Sequence, residues 1–294
     1  MTVYRTASVG NLQIAYREAG SAHLPTLLLL HGFPSSSHMY RNLLAALSEH
    51  FHLIAPDYPG FGYSSSPSAD IFAYTFDHLS EIMEQFLQTI GITRFGLYIQ
   101  DYGAPIGLRL ASRHPEWIEA LIVQNAVAYE EGLGEGFDVV KAIWANRNEQ
   151  TEQGIRDLLT PAFTRMQYVS GARNPEQISP DCWTLDQYFL DRPGNDAIQI
   201  DLQYDYRNNP PRYQEWQAYF REAQPPTLVT WGKNDLLFTV EGALAYQRDL
   251  RNIEIHLLDT GHFALEEEWR AIAALMTRFY ETRVSSAVVK EESR

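Results

Sequence analysis

Leu97-Tyr98-Ile99-Gln100-Asp101-Tyr102-Gly103-Ala104-Pro105-Ile106-Gly107 is the stretch that decides how the chain folds. Phe95 to Ile99 is an unbroken aromatic and aliphatic run, the pattern of a strand buried on both faces. Gly103 follows in a turn, and Ile106-Gly107-Leu108-Arg109-Leu110-Ala111 then repeats its apolar residues at helical spacing. Proline is tolerated only in the first turn of a helix, so Pro105 requires the helix to begin close to Asp101. Strand, tight turn and helix form an elbow that lifts its apex side chain above the sheet, and here the apex is a carboxylate. Asp101 on its own also suits a plain helix cap. Its partners elsewhere in the chain decide between the two.

Outward from the elbow, strands and helices alternate on both sides. Val3 to Ala7 and the period-two run Leu12, Ile14, Tyr16 predict an antiparallel hairpin at a sheet edge. Thr26 to Leu30 predicts a strand covered on both faces, and it runs into His31-Gly32-Phe33-Pro34 and a helix over Met39 to Leu47. Phe51 to Ala55 leads into the turn-rich Asp57 to Gly62, where Asp57 is expected to organise its own turn. Leu79, Ile82, Met83, Phe86, Leu87 and Ile90 make one apolar helix face stopped by Gly91, and Trp117 to Val123 reads as a further strand. From about Tyr129 to Glu222 the alternation breaks into aromatic, polar, helix-punctuated sequence. It resumes with strands at Pro226 to Trp231 and Ile253 to Leu258, and helices over Val240 to Leu250 and Leu265 to Tyr280. The tail from Val284 to Arg294 reads as frayed. The expected organisation is an α/β core of residues 1–128 and 223–294, a mostly parallel sheet flanked by helices, with residues 129–222 inserted as a helical cap.

The 294 residues are 45% apolar and 20% charged, the balance of a globular chain. A net charge of −14 argues against nucleic acid and anionic membrane surfaces as partners. One cysteine, Cys182, excludes an intrachain disulfide and a cysteine-based zinc cluster. Met1 to Gly10 lacks the basic start and apolar core of a signal peptide, and no aliphatic run is long enough to span a bilayer, so a cytoplasmic location is expected. Gly132-Leu133-Gly134-Glu135-Gly136 has the wrong spacing for a phosphate loop and is acidic; a mobile entrance to the cap is the expectation. Glu266, Glu267 and Glu268 suit the first turn of the last helix.

Ligand sites in open α/β sheets gather at the carboxyl ends of the strands. Asp101, Asp235 in Trp231-Gly232-Lys233-Asn234-Asp235, and His262 in Asp259-Thr260-Gly261-His262-Phe263 all fall there. Nucleophile, acid, histidine is the chain order of hydrolase triads. Together these residues resemble the α/β-hydrolase superfamily, in the branch of epoxide hydrolases and haloalkane dehalogenases that use an aspartate nucleophile. His31-Gly32-Phe33-Pro34 resembles their HG-x-P loop, Asp57 to Ser64 their glycine-rich turn, Gln100-Asp101-Tyr102-Gly103 their nucleophile motif, and Gly232 to Asp235 and Gly261-His262-Phe263 their acid and base motifs. The resemblance implies the α/β-hydrolase fold. It covers nearly all of residues 1–128 and 223–283 and is looser in between.

A carboxylate is ionised at neutral pH without a base and attacks saturated carbon, whereas on a carboxylic ester it would make an anhydride. Ordinary esterase chemistry is therefore disfavoured. The expected cycle is an alkyl ester on Asp101, released by water that His262, supported by Asp235, deprotonates, with the N–H groups of Phe33 and Tyr102 as oxyanion hole. No cofactor or metal is called for, and the partners expected are a small apolar substrate and water, in a monomer or homodimer. Between substrates, the resemblance implies halide donors at two positions occupied here by Tyr102 and Phe33, with Trp183 a substitute from the cap. Epoxide hydrolases open the ring with cap tyrosines; Tyr204-Asp205-Tyr206-Arg207-Asn208 resembles one of their motifs and marks Tyr206, with Tyr168 as the second candidate. A small apolar epoxide is the leading expectation, a haloalkane or haloacid the alternative, and ligand binding without turnover the reading of another class.

Overall fold

A computed structural model describes residues 1–284; the expectation for the tail from residue 285 onward lies outside the described residues. The strands are β1 (Val3–Val9), β2 (Leu12–Ala19), β3 (Thr26–Leu30), β4 (His52–Pro56), β5 (Phe95–Gln100), β6 (Ile118–Gln124), β7 (Thr227–Gly232) and β8 (Ile253–Leu258). They form one sheet in the order β1-β2-β4-β3-β5-β6-β7-β8, antiparallel at β1, β2 and β4 and parallel from β4 onward. The N-terminal pair is the edge hairpin that its period-two pattern requires.

Helices α1 (Arg41–Leu47), α2 (Phe76–Thr89) and α3 (Gly103–Arg113) precede β6, and α4 (Asp138–Ala145), α5 (Glu149–Asp157), α6 (Pro161–Val169), α7 (Asp181–Leu190), α8 (Asn195–Asp205) and α9 (Tyr213–Ala223) lie between β6 and β7. After β7 come α10 (Val240–Ala245) and α11 (Ala264–Phe279). Successive strand residues point to opposite faces, so each central strand feeds two cores. Leu28, Leu30, Leu97, Ile99, Leu121 and Val123 pack with the apolar sides of α2 and α3, while Leu27, Leu29, Tyr98, Ala120 and Ile122 pack with α1 and α11. Sequence alternation is invisible here because both faces are covered, which is why these strands read as continuous apolar runs.

Three sets of ties bind the parts that frame the sheet's carboxyl edge. Asp57 accepts hydrogen bonds from the N–H groups of Ser37 (2.7 Å) and Tyr63 (2.9 Å), so it organises its own turn as expected and also ties it to the loop after β3. The glutamates of α11 do more than complement a helix dipole. Glu266 pairs with Arg41 at 2.6 Å and accepts from Cys182, and Glu267 accepts from the N–H groups of Arg173 and Asn174 beyond α6. They fasten the helical insert to the core. The glycine-rich segment 132–136 is likewise tied down: Gly134 N–H donates to Leu237 O at 2.9 Å, and Leu133 bridges Phe238. Among the described residues, no helix is long and apolar enough to cross a membrane.

Candidate active site

Asp101 sits one residue past β5 with φ of +49°, in the left-handed region that Asp and Asn enter more readily than other side chains. The turn is tight because Gly103 brings α3 against β3: a Cβ there would collide with the carbonyl of Leu30. The Asp101 N–H donates to Asn125 O at 3.1 Å, which pins the elbow to the end of β6. Its Oδ1 accepts the Phe33 N–H at 2.7 Å, with the Tyr102 N–H also turned toward the carboxylate. Oδ2 lies 4.0 Å from His262 Nε2. That is beyond a hydrogen bond, so the imidazole faces the carboxylate without being consumed by it.

His262 Nδ1 lies 2.8 Å from Asp235 Oδ2, and Asp235 Oδ1 accepts the Leu237 N–H at 2.7 Å. With the Nδ1 proton directed at Asp235, Nε2 is left as the acceptor, 3.0 Å from the Gln100 amide nitrogen and 4.0 Å from Asp101 Oδ2. Asn125 is the brace between the two carboxylates. Its Nδ2 donates to Asp235 Oδ2 (2.8 Å) and Gly232 O (3.1 Å), and its Oδ1 accepts from Gly232 N–H (2.8 Å). A second brace runs from Tyr98 through Gln124, whose amide donates to His262 O at 3.3 Å. Asn125→Ala is expected to cost about 2 kcal/mol, because buried partners lose their bonds and a left-handed residue loses its asparagine. It should also lower kcat by about 10-fold through a loosened Asp235. Urea midpoints and initial rates check both.

Burial raises the Asp101 pKa above 3.8, opposed by the charge of His262 and by the N–H groups of Phe33 and Tyr102. Burial alone would lower His262, but the adjacent Asp235 carboxylate outweighs it and holds the imidazole above 6.5. His31, by contrast, is pushed down to about 4 by burial. Its ring sits between Gly32 O and the Tyr58 N–H, so it is a neutral scaffold under the loop and not a base.

Above Asp101 is a cavity of about 30 Å³, lined on the core side by Phe33, Asp101 and Tyr102, and on the other by the insert, including Phe137, Val140, Phe163, Gln167 and Gln203. The structure thus brings together Asp101, Asp235, His262, Phe33 and Tyr102. Tyr206 is buried nearby, its ring edge-on to Phe76, 6.1 Å from Tyr102 and stacked on Trp144; burial raises its pKa, with Tyr213 and the Asp101 charge adding to the rise. Tyr168 and Trp183 are placed elsewhere. The Tyr168 hydroxyl donates to Asp186 and its ring stacks on Phe263 at 4.0 Å, with Trp183 beside it under Arg165. Neither lines the cavity, although Tyr168 directly follows the cavity-lining Gln167 on α6. Sequence reasoning missed Gln100, Asn125, Gln167, Gln203 and the Tyr102 hydroxyl. Gln100 is the last residue of β5 and Asn125 the first after β6, a signal that was there to use.

A family model described as alpha/beta hydrolase fold matches residues 25–268. An uncharacterised hydrolase of Saccharomyces cerevisiae is 43% identical over 266 residues, covering 89% of this chain and 91% of its own. A haloalkane dehalogenase of Bradyrhizobium diazoefficiens is 41% identical over 117 residues, 40% of this chain and 37% of that one. Among solved structures, the epoxide hydrolase CorEH superposes with a TM-score of 0.76 at 20% identity, over 96% of this chain and 99% of its own, a likeness of fold. With the sheet order, the carboxylate at the elbow and the family model spanning most of the sequence in agreement, the chain belongs to the α/β-hydrolase-fold family.

Proposed function

We propose that the protein is an epoxide hydrolase working through an alkyl ester on Asp101, with residues 129–222 acting as its cap. The observation that carries this is the division of labour in one carboxylate: Oδ1 is seated on the Phe33 N–H, while Oδ2 faces His262 Nε2 at 4.0 Å. Oδ2 attacks an epoxide carbon, the ring C–O bond breaks, and the departing oxygen takes a proton from a phenol. Tyr206 is one donor. Tyr102 is the second, because its buried hydroxyl has no partner among the described residues and Tyr102 lines the cavity. His262 Nε2 then removes a proton from water, which adds to the Asp101 carboxyl carbon. The oxyanion forms on Oδ1, already in the hole, where each N–H contributes about 3 kcal/mol. Collapse breaks the bond between the Asp101 carboxyl carbon and the alkyl oxygen and releases a vicinal diol, whose alkoxide takes its proton back from His262; the proton left on the Asp101 carboxyl returns to the phenolate, which restores both for the next cycle.

Phenols favour an epoxide over a halide as the leaving group. The tryptophan stacked on Tyr206, Trp144, donates its indole N–H to Gln203 O at 2.8 Å and is not free for a halide. Turnover in heavy-oxygen water tests the proposal: label should enter the Asp101 carboxylate with an epoxide and enter little or none with a matched bromoalkane. Label in the diol alone after a single turnover, with none in Asp101, sinks the ester.

The two steps should also part company on acidification. Alkylation needs ionised Asp101, whose pKa is raised from 3.8, while hydrolysis needs neutral His262, whose pKa is raised from 6.5. Raising a base's pKa extends its protonated form to higher pH, so hydrolysis should fail first as pH drops, along a limb above that of free imidazole. Quenched-flow mass spectrometry should show the alkyl-enzyme fraction growing between about pH 8 and about pH 6.

A further inference from the structure

The cavity above Asp101 is apolar on most of its insert side, yet two glutamines break that wall. Gln167 comes from α6 and Gln203 from α8, and they are 3% and 4% exposed. Among the described residues, Gln167 Nε2 and Gln203 Oε1 have no hydrogen-bond partner. Another buried glutamine of this segment is fully used: the Gln187 amide donates to Leu159 O and Asp191, and its oxygen accepts from Thr164. Burying an amide without partners is unfavourable where a leucine would cost nothing, so two of them facing one small space point to a ligand that brings partners. Amide oxygen and nitrogen exchange by a flip, so the pair offers one donor and one acceptor in either sense.

The complementary group is neutral and has both a donor and an acceptor. Among the described residues no cation lines the cavity, and Asp101 at its floor would repel a carboxylate. A bare hydrocarbon would leave both amides unsatisfied. We propose that Gln167 and Gln203 are specificity-determining residues that select epoxides carrying a hydroxyl or carboxamide next to the ring, in place of the apolar epoxide expected from sequence. This rests on the ester mechanism above.

Glycidol and propylene oxide differ only by the oxygen in question and provide the test. The wild-type protein should favour glycidol in kcat/KM by about 100-fold, as sites built to bond a hydroxyl reject the analogue lacking it. Gln167→Met with Gln203→Met should bring that ratio to near one. A wild-type ratio near one, or a ratio that survives both substitutions in a protein with an unchanged melting curve, overturns the proposal. If the double variant does not fold, labelling of Asp101 in His262→Gln decides: faster adduct formation with glycidol supports the selection, and equal rates refute it. Adducts from neither epoxide would instead remove the ester mechanism itself, a failure distinct from equal labelling.

Discussion

His262→Gln should convert the protein from a catalyst into a reagent that reacts once. Turnover should fall by about 10³-fold or more, because among the described residues no other base stands near Oδ2 to accept a proton from water. Alkylation should persist within about 10-fold, since attack by a carboxylate needs no base. The imidazole's positive field does help to keep Asp101 ionised against its burial, so the measurement belongs near pH 8, where the carboxylate is charged without it. Intact mass then reads the substrate class directly. An epoxide adds its whole mass, whereas a haloalkane adds its mass less that of the hydrogen halide. A variant that turns over as fast as the wild type, or that never acquires an adduct from a broad panel of either class, would end the covalent reading.

The placement of Asp101, Asp235 and His262 together was legible in the sequence because strand ends are legible. Pro105 fixed where α3 begins, Phe95 to Ile99 fixed where β5 ends, and the residue between them had to be the apex. Asp235 and His262 follow β7 and β8 by the same logic. The insert resisted this treatment for a physical reason. Its helices bury polar side chains, among them Gln167, Asp186, Gln199, Gln203 and Asp205, so hydropathy does not mark which face turns inward. One residue along a helix rotates a side chain by about 100°. That single step separates Gln167, in the cavity wall, from Tyr168, which sits against Asp186 and Phe263. The phenol was the conspicuous residue by type, and the amide beside it is the one that faces the nucleophile. Tyr206 lies three positions from Gln203, a spacing that shares a face, and it is buried beside Tyr102.

Gly32→Ala should disable the site without unfolding the protein. A Cβ at position 32 would stand 2.6 Å from Asp101 Oδ1 and closer still to Asp101 Cβ and Gln100 Oε1, so the elbow or the loop has to move. Backbone strain is not the cause, as Gly32 is not among the residues with positive φ; the cause is space. The carboxylate gives way more readily than either strand, and it leaves the Phe33 N–H at 2.7 Å when it does. Displacing a reacting group by about 1 Å costs on the order of 10²-fold. Here both half-reactions should slow, because Oδ2 loses its aim and Oδ1 loses its donor at once. Gly154→Ala on α5 is the matched control, since its added methyl meets only Val139 Cγ1 at 3.3 Å, well away from Asp101. Single-turnover rates and thermal melts on both variants separate the cases. An active Gly32→Ala protein, within about twofold of wild type, would mean that Oδ1 does not need its seat on the loop, and the oxyanion hole assigned to Phe33 would fall with it.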